Sequence, residues 1–346
     1  MPVDWERNRH PYESVLDVSG RTPLVRLRRV VDGRSTAILA KLEMLNPSGS
    51  VKDRILPAMA RAAEERGQLR PGMTIIEGTT GNTGIATAMT GAALGYPVVI
   101  VMPAGMSVER QKTIQAYGAA LVLTPGGESD VDLVLEKVAE LKADQPGRYW
   151  EVRQFSNLDN VAAHERTTGP EIWEQTGGRL DAVVSAAGTG GTLTGISRYL
   201  RSVGSTARCY VVEPEECPVL SGGEWGAHRI EGIGDGFVPD VLDLDCVDGV
   251  VTVSSDDAIA MGRRLAREEG IFCGISSGCN VVAALKVADR HPEMRTIVTL
   301  LSDNGLRYLS TELTGEGAAL EVPEREHELD AASRQRLAGR RFEVIR

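Results

Sequence analysis

Short β-branched runs alternate with longer helix-patterned stretches along this 346-residue chain, and no other feature restricts its fold as much. The runs at 36–43 (TAILAKLE), 74–77 (TIIE), 98–102 (VVIVM), 120–124 (ALVLT), 182–186 (AVVSA), 209–213 (CYVVE) and 296–301 (TIVTLL) read as strands. They are almost continuously apolar, as strands buried on both faces of a parallel sheet must be. Between them, 51–66, 83–94, 108–117, 130–142, 169–175, 193–202, 256–269 and 280–288 carry helical patterning. The predicted class is α/β, with open, mostly parallel twisted sheets flanked by helices. The length suits two domains at about 150 residues each. Gly126, Gly127, Pro146 and Gly147 punctuate the chain so as to place a boundary near residue 150. The stretch 315–346 is dense in charge and predicts a solvated cap with one exposed helix over 324–337.

Composition removes several functions. The chain has 38 basic and 48 acidic residues, a net charge of −10, so a phosphate backbone is repelled and nucleic acid is not an expected partner. No apolar run approaches the roughly 18 residues that suggest a membrane span. The first residues, MPVDWERNRHPYES, lack the apolar stretch of a signal peptide, so the expected location is cytoplasmic. The five cysteines form no C-x-x-C pair and predict reduced thiols in a core, with no metal site.

Chemistry in open parallel sheets gathers where strands end and Gly-rich loops lead into helices. Three such loops stand out. In Asn46-Pro47-Ser48-Gly49-Ser50-Val51-Lys52-Asp53, Ser50 can cap a helix whose first turn holds Lys52. The positive end of the helix dipole disfavours a cation there and favours the neutral amine that a Schiff-base lysine needs. The plainer reading is a solvated lysine beside Asp53. In Thr79-Thr80-Gly81-Asn82-Thr83-Gly84, hydroxyls and free N–H groups gather at a helix start. Without lysine or arginine, that cradle suits a carboxylate better than a polyphosphate. In Gly188-Thr189-Gly190-Gly191-Thr192, backbone N–H groups and two hydroxyls form a cup for a single phosphate. Glu213, ending the next strand, raises a dinucleotide reading, but Leu193 occupies the sixth position of the G-x-G-x-x-G spacing. A fourth element, Gly274-Ile275-Ser276-Ser277-Gly278, matches the nucleophile elbow of serine hydrolases, with Asp303 and His327 following in the required order. Only Ile271, Phe272 and Cys273 precede it, too few for a firm strand. The other histidines (His10, His164, His228, His291) have no nucleophile or metal spacing and read as surface or core residues.

Taken together, NPSGSVKDR, TTGNTG, GTGGT and GISSG, in this order, resemble the fold-type II pyridoxal-phosphate enzymes, tryptophan synthase β-like in fold. Within them the chain is similar to the cysteine synthase/cystathionine β-synthase family, whose cysteine synthases are O-acetylserine sulfhydrylases. GRTPLVRL, MPAGMSVER, TTGPEIW, GIGDGF and RYLST support this over residues 14–313. The resemblance implies that Lys52 holds pyridoxal 5'-phosphate covalently and acts as the catalytic base. Asn82 would bond the ring hydroxyl oxygen, Gly188, Thr189, Gly190, Gly191 and Thr192 the phosphate, and Ser276 would face the pyridine nitrogen. Thr79, Thr80, Thr83 and Gln154 would grip the substrate carboxylate. It further implies a smaller N-terminal domain at 46–149, a larger one from 12–45 and 150–315, and a tail at 316–346. The implied reaction is β-replacement on an activated serine through an α-aminoacrylate intermediate. The implied partners are an amino-acid substrate and sulfide, a second copy of the chain, and serine acetyltransferase.

The chain departs from the family pattern at Thr80 (commonly Ser), at Gly78 (commonly Pro) and at Asp235 (commonly small). Pro57 falls inside the Lys52 helix and predicts a kink. The stretch expected at the leaving-group side offers Arg229 but flanks its glycines with Glu231 and Asp235, whose repulsion of a phosphate predicts O-acetylserine over O-phosphoserine as donor. Cystathionine formation is the alternative on the same scaffold.

Overall fold

A computed structural model describes residues 3, 6, 10–127, 130–315 and 328–346. Its strands are β1 (Leu24–Arg26), β2 (Ala37–Leu42), β3 (Thr74–Gly78), β4 (Val98–Pro103), β5 (Ala120–Thr124) and β6 (Tyr149–Glu151). Then follow β7 (Ala182–Ala186), β8 (Arg208–Pro214), β9 (Gly249–Val253), β10 (Thr296–Leu301) and β11 (Glu343–Ile345). The helices are α1 (Leu56–Glu65), α2 (Asn82–Leu94), α3 (Val108–Ala116), α4 (Val131–Asp144) and α5 (Asp159–Arg166). After them come α6 (Thr168–Gln175), α7 (Gly191–Ser202), α8 (Ser255–Arg264), α9 (Ile275–Arg290) and α10 (Ala331–Leu337).

Two sheets result. One has seven strands in the order β1-β2-β10-β7-β8-β9-β11, the other four in the order β5-β4-β3-β6. Every pairing is parallel except β1 with β2. The runs that read as buried strands are buried: Val183, Val184, Val211, Val212, Ile297 and Val298 in the large sheet, Ile75, Ile76, Ile100 and Val101 in the small one. The expected two-sheet α/β class is therefore present.

The differences have local causes. Residues 51–66 do not form one helix. A 3₁₀ turn, Val51–Arg54, precedes α1, because Pro57 has no N–H for the carbonyl of Asp53 and its ring would collide there. Three-residue strands such as β1 and β6 leave no periodicity to detect. The strand β9 was missed because the crossover from β8 holds only turns and a 3₁₀ segment, Leu244–Cys246, not a helix. The predicted cap helix is confined to α10 within the described residues, since 316–327 lie outside them. Nor is that end merely a solvated cap: β11 pairs with β9 at the sheet edge, and Ser333 is buried.

A sealed ion cluster joins the 3₁₀ turn to the large sheet. Arg54 Nε lies 2.6 Å from Glu43 Oε2, and its Nη1 lies 2.7 Å from Glu171 Oε1. Lys41 Nζ, on β2, lies 2.7 Å from Glu171 Oε2. Two cations and two carboxylates thus cancel with almost no exposure. Burial pushes the Glu171 carboxyl up, but Arg54 and Lys41 more than offset it and hold it at about 2. Arg54→Ala should destabilise the fold by about 3–5 kcal/mol, since it strands two buried carboxylates. Breaking the solvent-exposed Arg61–Asp17 pair by Arg61→Ala should cost at most about 1 kcal/mol. Chemical denaturation of both variants measures this, and equal losses would show that the buried cluster is not what anchors the turn.

Candidate active site

The carboxyl ends of parallel β2, β10 and β7 lie side by side and face the loop that follows β3 in the other sheet. The chain leaving β2 reaches Lys52 through Gly49, which adopts a left-handed φ of 91° and where a Cβ would collide with the Asn304 amide. Ser50 caps the turn, its hydroxyl accepting from Lys52 N at 3.3 Å, and the Val51 N–H bonds Ser302 O at 2.8 Å. The lysine is therefore stitched to the end of β10. Burial pulls its pKa below the ordinary lysine value, while the carboxylates of Asp235 and Asp303 pull the other way without prevailing. Burial, not the helix dipole invoked from the sequence, is the largest of these influences and shifts the amine toward its neutral form.

One cavity between the two sheets is lined by Lys52, Thr79, Thr80, Asn82, Thr83, Gln154, Gly188, Thr189, Gly190, Thr192 and Ser276. Gly191 is the first residue of α7 directly beneath it. Asn82 donates to Asp303 Oδ2 at 2.7 Å and accepts from Arg307, which fixes its amide orientation and leaves one N–H for a ligand oxygen. Thr83 donates to Gln154 Oε1 at 2.6 Å, leaving the Gln154 amide to donate. Glu77 holds that glutamine: its carboxylate accepts from Arg153 N at 3.0 Å and Gln154 N at 3.3 Å, across a left-handed Arg153.

The loop at 188–192 packs tightly. A Cβ on Gly188 would strike the Gly232 carbonyl, one on Gly191 the Asn160 amide, and Gly190 is left-handed at φ 77°. The first turn of α7 supplies N–H groups with no partner inside the helix. The cup, one lysine, an asparagine N–H and a serine hydroxyl form a donor set that fits pyridoxal phosphate. Ser276 is buried in the first turn of α9.

The structure adds residues that the sequence did not single out. His164, read as a surface or core histidine, is core: its Nε2 lies 3.1 Å from Thr192 Oγ1 and its Nδ1 2.8 Å from Thr168 Oγ1. Burial, with Arg54 nearby, drops its pKa to about 3, so it orients Thr192 as a neutral ring. Asn160 bonds both Gln154 O and Thr189 Oγ1. Both sit on α5 with helical spacing, but nothing in the sequence says which face of α5 meets the loops.

The dinucleotide reading stays set aside, and two others are corrected. Glu213 cannot serve a ribose, since its carboxylate caps Leu220 N and Ser221 N at 2.6 and 2.9 Å. The serine-hydrolase elbow is not formed: a single bridge, Cys273 to Asn304, replaces the strand it needs, and Asp303 serves Asn82 and Tyr308. His327 lies outside the described residues. Arg229 does not face the cavity but pairs with Asp256 and Glu312 on the surface. Among the described residues, no cluster could hold a metal and no helix is long and apolar enough to cross a membrane.

The family description "Pyridoxal-phosphate dependent enzyme" matches residues 15–303. The chain belongs to this family. It is 46% identical over 304 residues to a cysteine synthase of Staphylococcus aureus, covering 88% of this chain and 97% of that protein. Among solved structures it is similar to a cysteine synthase of Entamoeba histolytica (TM-score 0.85, 42% identity, 93% of this chain and 97% of that one). It is also similar to an O-acetylserine dependent cystathionine β-synthase of Helicobacter pylori (TM-score 0.83, 37% identity, 88% and 99%). Membership makes the protein a pyridoxal-phosphate-dependent enzyme of fold type II.

Burial lifts the Glu77 carboxyl to about 8, against the pull of its two backbone donors. A carboxyl whose pKa is raised by folding binds more protons folded than unfolded. Its stabilisation is therefore complete at low pH and is lost as pH rises from 4.5 toward 8. Glu77→Gln should flatten the fall of Tm over that range. Parallel wild-type and mutant profiles would show that Glu77 titrates normally.

Proposed function

We propose that the protein is a cysteine synthase, converting O-acetyl-L-serine and sulfide to L-cysteine and acetate. The observation that carries this reading is one polar cavity that joins Lys52, the phosphate cup and a carboxylate cradle. Likeness to cysteine synthases over nearly their full length supports it. Lys52 holds the cofactor, Asn82 bonds its ring oxygen and residues 188–192 bind its phosphate. Thr79, Thr80, Thr83 and Gln154 hold the substrate carboxylate. When bound, pyridoxal phosphate supplies the electron sink for a carbanion at the substrate Cα. The Lys52 amine, released by the incoming amino acid, takes the Cα proton as general base and later returns it. Ser276 faces the ring nitrogen from the first turn of α9. Its hydroxyl and the positive helix end both disfavour a protonated nitrogen, which favours loss of the β-leaving group over side reactions of the carbanion. The protein works as a homodimer in the cytoplasm, and a serine acetyltransferase is a partner, as the family resemblance implies.

Borohydride reduction and peptide mapping should place the cofactor on Lys52, and Lys52→Ala should lose both the covalent bond and turnover. Attachment to another lysine overturns the assignment. Ser276→Ala should keep the bound cofactor and part of the rate, whereas a nucleophilic serine would be indispensable.

The donor follows from charge. Apart from Lys52 the described residues of the cavity lining include no cation, and they include Glu231 and Asp235. A phosphoryl leaving group adds about −1.5 to −2 charge with nothing to meet it. O-acetylserine should therefore exceed O-phosphoserine in kcat/KM with sulfide. The reverse order would place an arginine at the leaving group that the resting cavity does not show.

A further inference from the structure

The crossover from β8 to β9, residues 215–248, is far longer than a simple connection, and one segment of it reaches the cavity. Glu231, Gly232, Ile233 and Asp235 belong to the lining. The segment carries alternate left-handed glycines, with φ of 87° at Gly232, 70° at Gly234 and 80° at Gly236. Glycine backbone has many conformations open to it, so the observed path has to be fixed from outside. Gly234 is where this happens. Its N–H donates to Ala187 O at 3.2 Å, just past the end of β7, and its carbonyl oxygen lies 3.0 Å from Nε2 of His228. A side chain at Gly234 would strike that ring and Pro214.

His228 is buried, and both of its ring nitrogens are engaged. The Ile230 N–H, 3.3 Å from Nδ1, can only donate, and Gly234 O can only accept. The ring proton therefore sits on Nε2. Burial lowers the ring's pKa, against the Gly234 carbonyl and the Glu216 carboxylate, and so favours the neutral form. The backbone beside the ring is itself anchored. Arg229 N donates to Ser255 Oγ at 2.9 Å, and Ser255 N, at the start of α8, donates to Glu216 Oε1 at 2.8 Å. We propose that His228 is a positioning residue for the reaction: as the Nε2–H tautomer it fastens the 231–235 segment to the start of α8 and so holds Glu231 and Asp235 at the cavity. This rests on the β-replacement reading above. The connection to the chemistry runs through Asp235, whose carboxylate opposes the effect of burial on Lys52, and through Glu231, which pairs with Arg110 of α3.

One spectrum and two holoenzyme variants test this. In wild type carrying isotope-labelled histidine, long-range nitrogen–proton spectra at neutral pH should show the Nε2–H tautomer for the signal that His228→Gln removes. An Nδ1–H tautomer there overturns the proposal, whether or not either variant folds. His228→Phe keeps a ring and loses the donor, whereas His228→Gln keeps an N–H for Gly234 O. With O-acetylserine and sulfide, kcat/KM should fall about 2- to 13-fold in His228→Phe, the range for one net hydrogen bond, and return to within about 2-fold of wild type in His228→Gln. Amide hydrogen exchange over 230–237 should quicken in His228→Phe and not in His228→Gln, with the absorbance of the bound cofactor the same in both. Unchanged exchange over that segment in His228→Phe, or full activity in that variant, overturns the proposal. Failure of the wild type to turn over O-acetylserine would instead overturn the β-replacement reading, and the exchange experiment would still decide whether His228 holds the segment.

Discussion

The catalytic geometry depends on a group of charges that touches no ligand. Arg54 follows Lys52 by two residues, and its guanidinium is divided between Glu43, just after β2, and Glu171 on α6. Thr22 shares the cluster, donating to Glu43 Oε1 at 2.7 Å, and Lys41 closes it from β2. Such a cluster is a poor source of net stability, because desolvation consumes most of the Coulomb gain. What it supplies is discrimination. A shift of the 3₁₀ turn along β2 would separate buried opposite charges, so displaced positions of Lys52 are far more costly than the native one. The short turn, unable to continue into α1 past Pro57, is held in place by Arg54, two residues after Lys52, which is fixed in this way.

Asp303 does the corresponding work between the two sheets. One carboxylate oxygen accepts from Asn82 of the small-sheet side and from Tyr308 at 2.8 Å. Tyr308 in turn accepts from Arg110 of α3 at 2.8 Å, and Arg110 pairs with Glu231 across the cleft. Arg110 is almost wholly buried and lies against Gly81, where any side chain would displace it. The carboxylate loop and the lysine turn therefore share one anchor, since Ser50 bridges the backbone of the same Asp303. Moving the loop without moving the lysine would leave a buried tyrosine or arginine, or the half-buried Asn82, without its partner, at about 1–3 kcal/mol for a buried neutral group and more for a charged one.

The parts of this arrangement that were legible in the sequence are those set by backbone and local chemistry. Buried parallel strands show as continuous apolar runs, Ser50 shows as a cap, and the glycines of 188–191 show as a close approach. Those that were not legible depend on which side chain meets which across the fold. His164 and Asn160 lie on an ordinary-looking helix, and only the packing of α5 beneath α7 turns them toward the cup. Glu213 occupied the right strand end for a ribose, but the loop at 220–221 takes its carboxylate first. Arg229 stood next to the site in sequence and was claimed by Asp256 and Glu312. In each case a competing partner, distant in sequence, decided the role.

The charge economy of the cavity explains why so few residues there are ionised. The phosphate cup has N–H dipoles and hydroxyls but no cation, so a dianion can be held without fixing a positive charge beside Lys52. Ser276 adds none at the ring nitrogen, and His164 is kept neutral below Thr192. Among the described residues the lining then has one titratable cation, Lys52, together with Asp235 and Glu231, and Asp303 bonds Asn82. A cation added to the loop at 188–192 would drive the lysine pKa further down. Neutral donors avoid that shift. They leave burial and two carboxylates, Asp235 and Asp303, as the opposing influences on Lys52, with burial the stronger.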